Sequence, residues 1–186
     1  MKQYNCKITG TTPLVMHRGG MVDPLDEFTK RIKKISGKRN KTESDLEEIA
    51  HLEFLGGLYL EGGKVIIPRT VFKATMRDAG KKFKRGKDVT KGVQIKDNFL
   101  LDYPGPADPE ELWKDKKYRL KVPVKVQQAK IMRTRPMFPE WSAEIEIYYD
   151  ESLFNEEEII QIIEEAGERA FLMEWFGEYG GFSVEK

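Results

Sequence analysis

From Tyr118 to Phe138 the chain reads YRLKVPVKVQQAKIMRTRPMF, with cations and apolar residues taking turns. In an extended strand alternate side chains share a face. Leu120, Val122, Val124 and Val126 then form a core side, and Arg119, Lys121, Pro123, Lys125 and Gln127 an outward side. Positions on one side repeat about every 6.6 Å, a spacing suited to tracking a phosphate backbone. The phase slips near Gln127-Gln128, which predicts a bulge; beyond it Arg133 and Arg135 share a side and Met132 points to the core. The expected sheet contacts to a nucleic acid are therefore Lys121, Lys125, Lys130, Arg133 and Arg135. A turn centred on Phe138-Pro139 would set Arg133 opposite Glu144 and Arg135 opposite Ser142, so ion pairing competes with ligand contact at Arg133. Phe138 and Trp141 flank that turn, where each can stack a base or fill the core.

Two further basic clusters extend this expected surface. Lys33, Lys34, Lys38, Arg39 and Lys41 surround a glycine-containing turn. Lys81, Lys82, Lys84, Arg85 and Lys87 gather at a helix C-terminus, where the dipole also favours cations. The net charge is only +1, yet residues 140–168 carry eleven acids and no base, while residues 114–135 carry nine Lys/Arg and one acid. Neutrality is an average over a polarised chain, so local fields are strong. The same polarity suits a head-to-tail assembly of copies, as a homo-oligomer or filament.

Other chemistry is thin. His17 follows the first strand and is the candidate base of a metal-independent ribonuclease, the competing reading. His51 lies among acids in a helical segment and reads as surface. Asp23, Asp26 and Glu27 suit a helix start better than a two-metal site, and no phosphate-binding loop or nucleophile elbow is present. No enzyme activity, cofactor or metal is therefore expected. A single cysteine, Cys6, fits a reducing compartment, and no stretch approaches a membrane span. A cytoplasmic protein with no membrane partner is expected.

The elements that must hold these residues follow from periodicity. KQYNCKIT is a strand with Tyr4, Cys6 and Ile8 on one side. Residues 20–67 read as an insertion: a helix begun after Asp23, a second over 44–55 capped by Thr42 or Ser44, and a hairpin turning at Gly62-Gly63. A helix capped by Thr70 buries Val71, Phe72, Thr75, Met76 and Ala79. VQIKDNFLLDYP is strand-like, and PGPADPEELWKDKK is a surface excursion. WSAEIEIYYD is a strand hairpinned to the basic segment, Asn155 caps a helix running through EIIQIIEEAGERAFLMEWF, and GFSVE is a last strand. Outside the insertion this order predicts one α+β domain over 1–186, of ferredoxin-like (split βαβ, RRM/RAMP-like) form, with an antiparallel sheet open on one face.

TTPLVMH, IPRTVFKATMRDAGKKFK and VQQAKIMRTRPMFPEW resemble a family of small phage- or prophage-encoded proteins. With the terminal glycine-containing strand, they are similar to the RAMP superfamily, the ferredoxin-like RNA-binding subunits of CRISPR effector complexes. The resemblance implies nucleic-acid binding through a ferredoxin-like core, by several copies along a strand; a binder of single-stranded DNA or RNA in phage DNA metabolism is expected, with a RAMP-type subunit of a CRISPR-like RNA-binding complex as the alternative. One departure stands out. The superfamily's glycine-rich basic loop is here MEWFGEYGGFSVEK, with Gly177, Gly180, Gly181, Glu174 and Glu178 and no cation before Lys186, so no binding role is expected of it.

Overall fold

The computed structural model describes residues 1–126, 128–173 and 177–185, with Val126 described in its backbone alone. In chain order the elements are β1 (Lys2–Gly10), β2 (Leu14–Val15), α1 (Glu27–Ser36), α2 (Glu43–Gly57), β3 (Leu60–Glu61), β4 (Lys64–Ile67), α3 (Arg69–Gly80), α4 (Gly86–Gly92), β5 (Val93–Gln94) and β6 (Phe99–Leu100). There follow α5 (Pro109–Lys114), β7 (Arg119–Val126), β8 (Ala129–Phe138), β9 (Ser142–Tyr149), α6 (Glu156–Glu165) and β10 (Phe182–Glu185). The protein is α+β with antiparallel sheets. Among the described residues no helix is long and apolar enough to cross a membrane.

The chain forms two compact units: Met1–Leu14, Lys64–Pro104 and Pro139–Lys186 in the first, Val15–Gly63 and Gly105–Phe138 in the second. The first holds an antiparallel sheet in the order β10-β1-β9-β5. Its inward positions, Cys6, Ile8, Ala143, Ile145, Ile147 and Tyr149, are buried. They alternate with exposed Asn5, Glu144 and Glu146, as a half-buried strand requires. The helices α3 and α6 supply the rest of this core through Phe72, Met76, Ile159, Ile162 and Ile163. Each fully buried side chain of this size is worth about 1.5–3 kcal/mol. Asn155 caps α6 in a reciprocal capping box with Glu158. The helix ends earlier than its periodicity predicts, in a π-helical turn over 166–170, where Gly167 sits against the Phe182 carbonyl with no room for a Cβ. Residues 174–176 of the expected helix lie outside the described residues.

The second unit pairs β7 with β8 and continues to β2 in the order β2-β8-β7. This replaces the expected strand-and-bulge. Val126 is opposite Ala129, so β7 and β8 form a hairpin; Gln127, where the bulge was expected, lies outside the described residues. A two-residue connection closes at little entropic expense and wins over pairing across Phe138-Pro139. Consequently β9 pairs with β1 and β5, and the expected oppositions fail: Arg133 faces Val122 and Arg135 faces Leu120. In α1 the cap is Asp26, three residues past the expected start, and Arg18 at 2.6 Å holds its carboxyl below the usual range. Thr42 caps α2 in a capping box with Asp45.

Candidate nucleic-acid interface

In an antiparallel pair, residues directly opposite each other project to the same side. Lys121 is opposite Thr134 and Lys125 opposite Lys130, so Lys121, Lys125 and Lys130 share one face of the hairpin. Arg133 and Arg135 share the other face with Val122 and Leu120. The single cationic stripe read from the sequence is thus two stripes. Lys125 and Lys130 form a directly opposed like-charge pair, an arrangement that destabilises a sheet. The hairpin end is exposed on both faces, so Met132, expected in the core, is 58% exposed.

Both stripes meet along the outer edge of β8. The Thr134 N–H points away from β7 and donates to Glu53 Oε2 at 2.8 Å, and the Pro136 carbonyl accepts from the Met16 N–H at 2.9 Å. Because backbone direction alternates along a strand, Lys130 and Met132 also aim their N–H and C=O groups outward. Facing this edge are α1 and α2, and the three elements enclose a cleft of about 1080 Å³. Lys33, Lys41, Lys121, Lys130, Arg133 and Arg135 line it, and among the described residues Glu53 is the only carboxylate that does. Glu53 is buried and already committed, with Oε1 on Arg133 Nη1 at 2.5 Å. Met21, Ile32, Leu46, Ile49 and Met132 give the rest of the wall an apolar stretch, beside Thr29, Ser36 and Thr134.

Arg135 differs from its neighbour. Its Nη1 donates to the Thr134 carbonyl at 3.1 Å, and no carboxylate is paired with it among the described residues. Burial lowers its pKa, Glu53 raises it and Arg133 lowers it. His17 lies in the same cleft, where desolvation by the walls and then repulsion from Arg135 and Arg133 bring its pKa to about 4. The ring is therefore neutral at pH 7.

Other expected contacts fall elsewhere. Lys34 and Arg39 are exposed and outside the cleft lining. Lys38 is engaged by Asp45 at 2.5 Å, the first cause of that carboxyl's pKa of about 2. The second basic cluster belongs to the first unit, and most of it is paired. Lys81 meets Asp78 at 2.6 Å, Lys82 bonds buried Glu165, and Arg85 bonds the Leu153 carbonyl and lies over the Phe154 ring. Lys84 ends the short 3₁₀ turn in a left-handed conformation. Base stacking by Phe138 and Trp141 is ruled out by burial: Phe138 packs on Tyr118, and Trp141 donates to the Thr12 carbonyl beside Gly10. The open face of the first unit's sheet carries Glu144, Glu146 and Glu185 against Lys7, a poor phosphate track. His51 is structural, bonded to Glu110 at 2.8 Å and stacked near Trp113.

Sequence reasoning missed Glu53 and the apolar wall. Their signal was the α2 stripe Leu46, Ile49, Ala50 and Glu53, in which a carboxylate occupies a core-facing position and calls for a buried cation. No family model matches the chain, and no curated protein matches it.

Proposed function

We propose that this chain is a sequence-independent single-stranded nucleic-acid-binding protein, gripping the backbone in the cleft between α1, α2 and the β8 edge. The observation carrying the reading is the imbalance of that cleft: six cations line it, and the only carboxylate lining it among the described residues is held by Arg133 and the Thr134 N–H. A polyanion offsets the repulsion among them and releases counterions as it binds. The exposed Lys125–Lys130 pair supports the same ligand, since an anion between opposed lysines turns a sheet defect into a contact. Apolar side chains such as Met132 and Leu46 offer contact to bases without hydrogen-bond readout, which suits indifference to sequence.

The reading extends to a ferredoxin-like first unit. Its order β1-α3-β5-β9-α6-β10, with the strands arranged β10-β1-β9-β5, supports a split βαβ. A RAMP-like, phage-associated, cytoplasmic protein acting in several copies along a strand completes the proposal. Self-association is the second reading, favoured by the carboxylates Glu144, Glu146 and Glu185 exposed on one sheet face. Metal-independent RNA cleavage is the weaker alternative, because a histidine with pKa about 4 is a feeble base.

Fluorescence anisotropy with labelled single- and double-stranded oligonucleotides at several ionic strengths tests the proposal. Single strands bind more tightly, and Lys121→Ala with Lys130→Ala lowers the salt slope by about 1.4, from about 0.7 per lost phosphate contact. Equal affinity of the double variant and the parent removes the cleft from the reading.

A further inference from the structure

The cleft is open at one end and closed at the other. Around Lys130 and Met132 the β8 edge faces open space. At Thr134 it is filled by Glu53, and at Pro136 it is covered by Met16. Gly57 packs so closely on Pro136 that an added Cβ would lie 2.9 Å from its Cδ. Arg18 fastens this closure, donating from its backbone N–H to the Gly57 carbonyl at 3.0 Å and from Nε to the Gly56 carbonyl at 2.9 Å. The edge is thus closed from Thr134 onward, and half-buried Arg135 and exposed His17 line the cleft beside that closure.

What lies there is a cation that feels Glu53 but has no carboxylate bonded to it among the described residues. Both oxygens of Glu53 are occupied, by Arg133 and by the Thr134 N–H. Arg135 spends one donor on the Thr134 carbonyl, and its Nε and Nη2 have no partner among the described residues. A half-buried guanidinium without a counter-ion is costly unless a ligand supplies one. Its planar fork matches two oxygens of a phosphate, and a phosphomonoester carries a second negative charge near neutral pH that an internal diester lacks. His17, neutral and lining the same cleft, can offer an N–H donor without adding to the repulsion.

We propose that the blind end of the cleft, at Arg135 and His17, is a phosphomonoester pocket that holds the terminal phosphate of the bound strand. This rests on the nucleic-acid reading of the same cleft. A free nucleoside monophosphate presents the same group, and the experiment separates the two sources.

The test compares oligonucleotides of one sequence bearing a 5′-phosphate, a 3′-phosphate or hydroxyls at both ends. One phosphorylated end binds about tenfold or more tightly than the hydroxyl form, the scale of a charge-assisted contact. In Arg135→Ala that ratio falls toward one, whatever happens to absolute affinity. Arg135→Lys, which keeps charge and bulk, recovers part of it, and thermal melts of both variants verify folding. If all three oligonucleotides bind equally, the pocket is refuted and the proposed function stands. If none binds, yet the ³¹P resonance of a nucleoside monophosphate shifts with the parent and not with Arg135→Ala, the pocket stands with a free nucleotide as its ligand and the proposed function fails. No binding by either class overturns both.

Discussion

Glu53 of α2 and Arg133 of β8, 80 residues apart in the chain, meet at 2.5 Å, and the same carboxylate takes the Thr134 N–H at 2.8 Å. One buried side chain thereby ties a helix to a strand edge, neutralises one arginine of the cleft and leaves its neighbour, Arg135, unmatched.

That triple use makes Glu53 costly to lose. Glu53→Ala leaves Arg133 half-buried without a counter-charge and the Thr134 amide without an acceptor. The expected destabilisation is about 3 kcal/mol, read from urea unfolding midpoints. A loss under about 1 kcal/mol would show that water replaces the carboxylate readily.

Lys125 separates stability from binding. Replacing it with threonine removes the repulsion against Lys130 and adds a β-branched residue to a strand. Lys125→Thr is expected to raise stability by a few tenths of a kcal/mol, within the usual range for cross-strand pairs of about 0.2–1 kcal/mol. The same change weakens single-strand binding severalfold. Lowered stability together with unchanged affinity would assign the lysine a structural role instead.

His17 provides a pH signature. Its folded pKa of about 4 lies below the ordinary value of 6.5, so between those limits the unfolded chain binds a proton that the folded chain does not. Its contribution to stability is complete above pH 6.5, declines as the pH falls, and levels off below about 4. Comparing acid unfolding of the parent with His17→Gln isolates this part of the curve. By NMR the His17 midpoint moves upward in Arg135→Ala, since a repelling cation is gone; a fixed midpoint would place the two groups too far apart to interact.

Gly180 tests the glycine-containing loop, where only a backbone role is expected. It has φ 87°, donates to the Pro13 carbonyl at 2.9 Å and accepts from the Leu172 N–H at 2.8 Å, and a Cβ would fall on the Leu172 carbonyl. Gly180→Ala combines left-handed strain with a steric clash and should cost about 2 kcal/mol or more. A thermal midpoint equal to the parent's would mean that the loop rearranges freely.

Local features were legible because their causes are local. The Asn155 cap and the acids of the α6 first turn answer to backbone groups within three residues. The strand 142–149 and the first strand follow from strict alternation, since a half-buried surface imposes period two. The α2 boundaries follow from the Thr42 cap and the glycines at its end. Six of the basic residues singled out in the sequence do line the cleft: Lys33, Lys41, Lys121, Lys130, Arg133 and Arg135.

Partnership was decided elsewhere. Alternation says that a segment is a strand but not which strand it meets, and the tight connection after Val126 overrode pairing with 142–149. That choice set Lys121, Lys125 and Lys130 on one face and Arg133 and Arg135 on the other, because parity propagates from the turn through every residue. It also placed Phe138 and Trp141 in cores, and left the β8 edge to be covered at one end by Met16 and Glu53. Charge and periodicity belong to the sequence; which charges are quenched depends on contacts between segments far apart in the chain, and these exist only once both elements have packed.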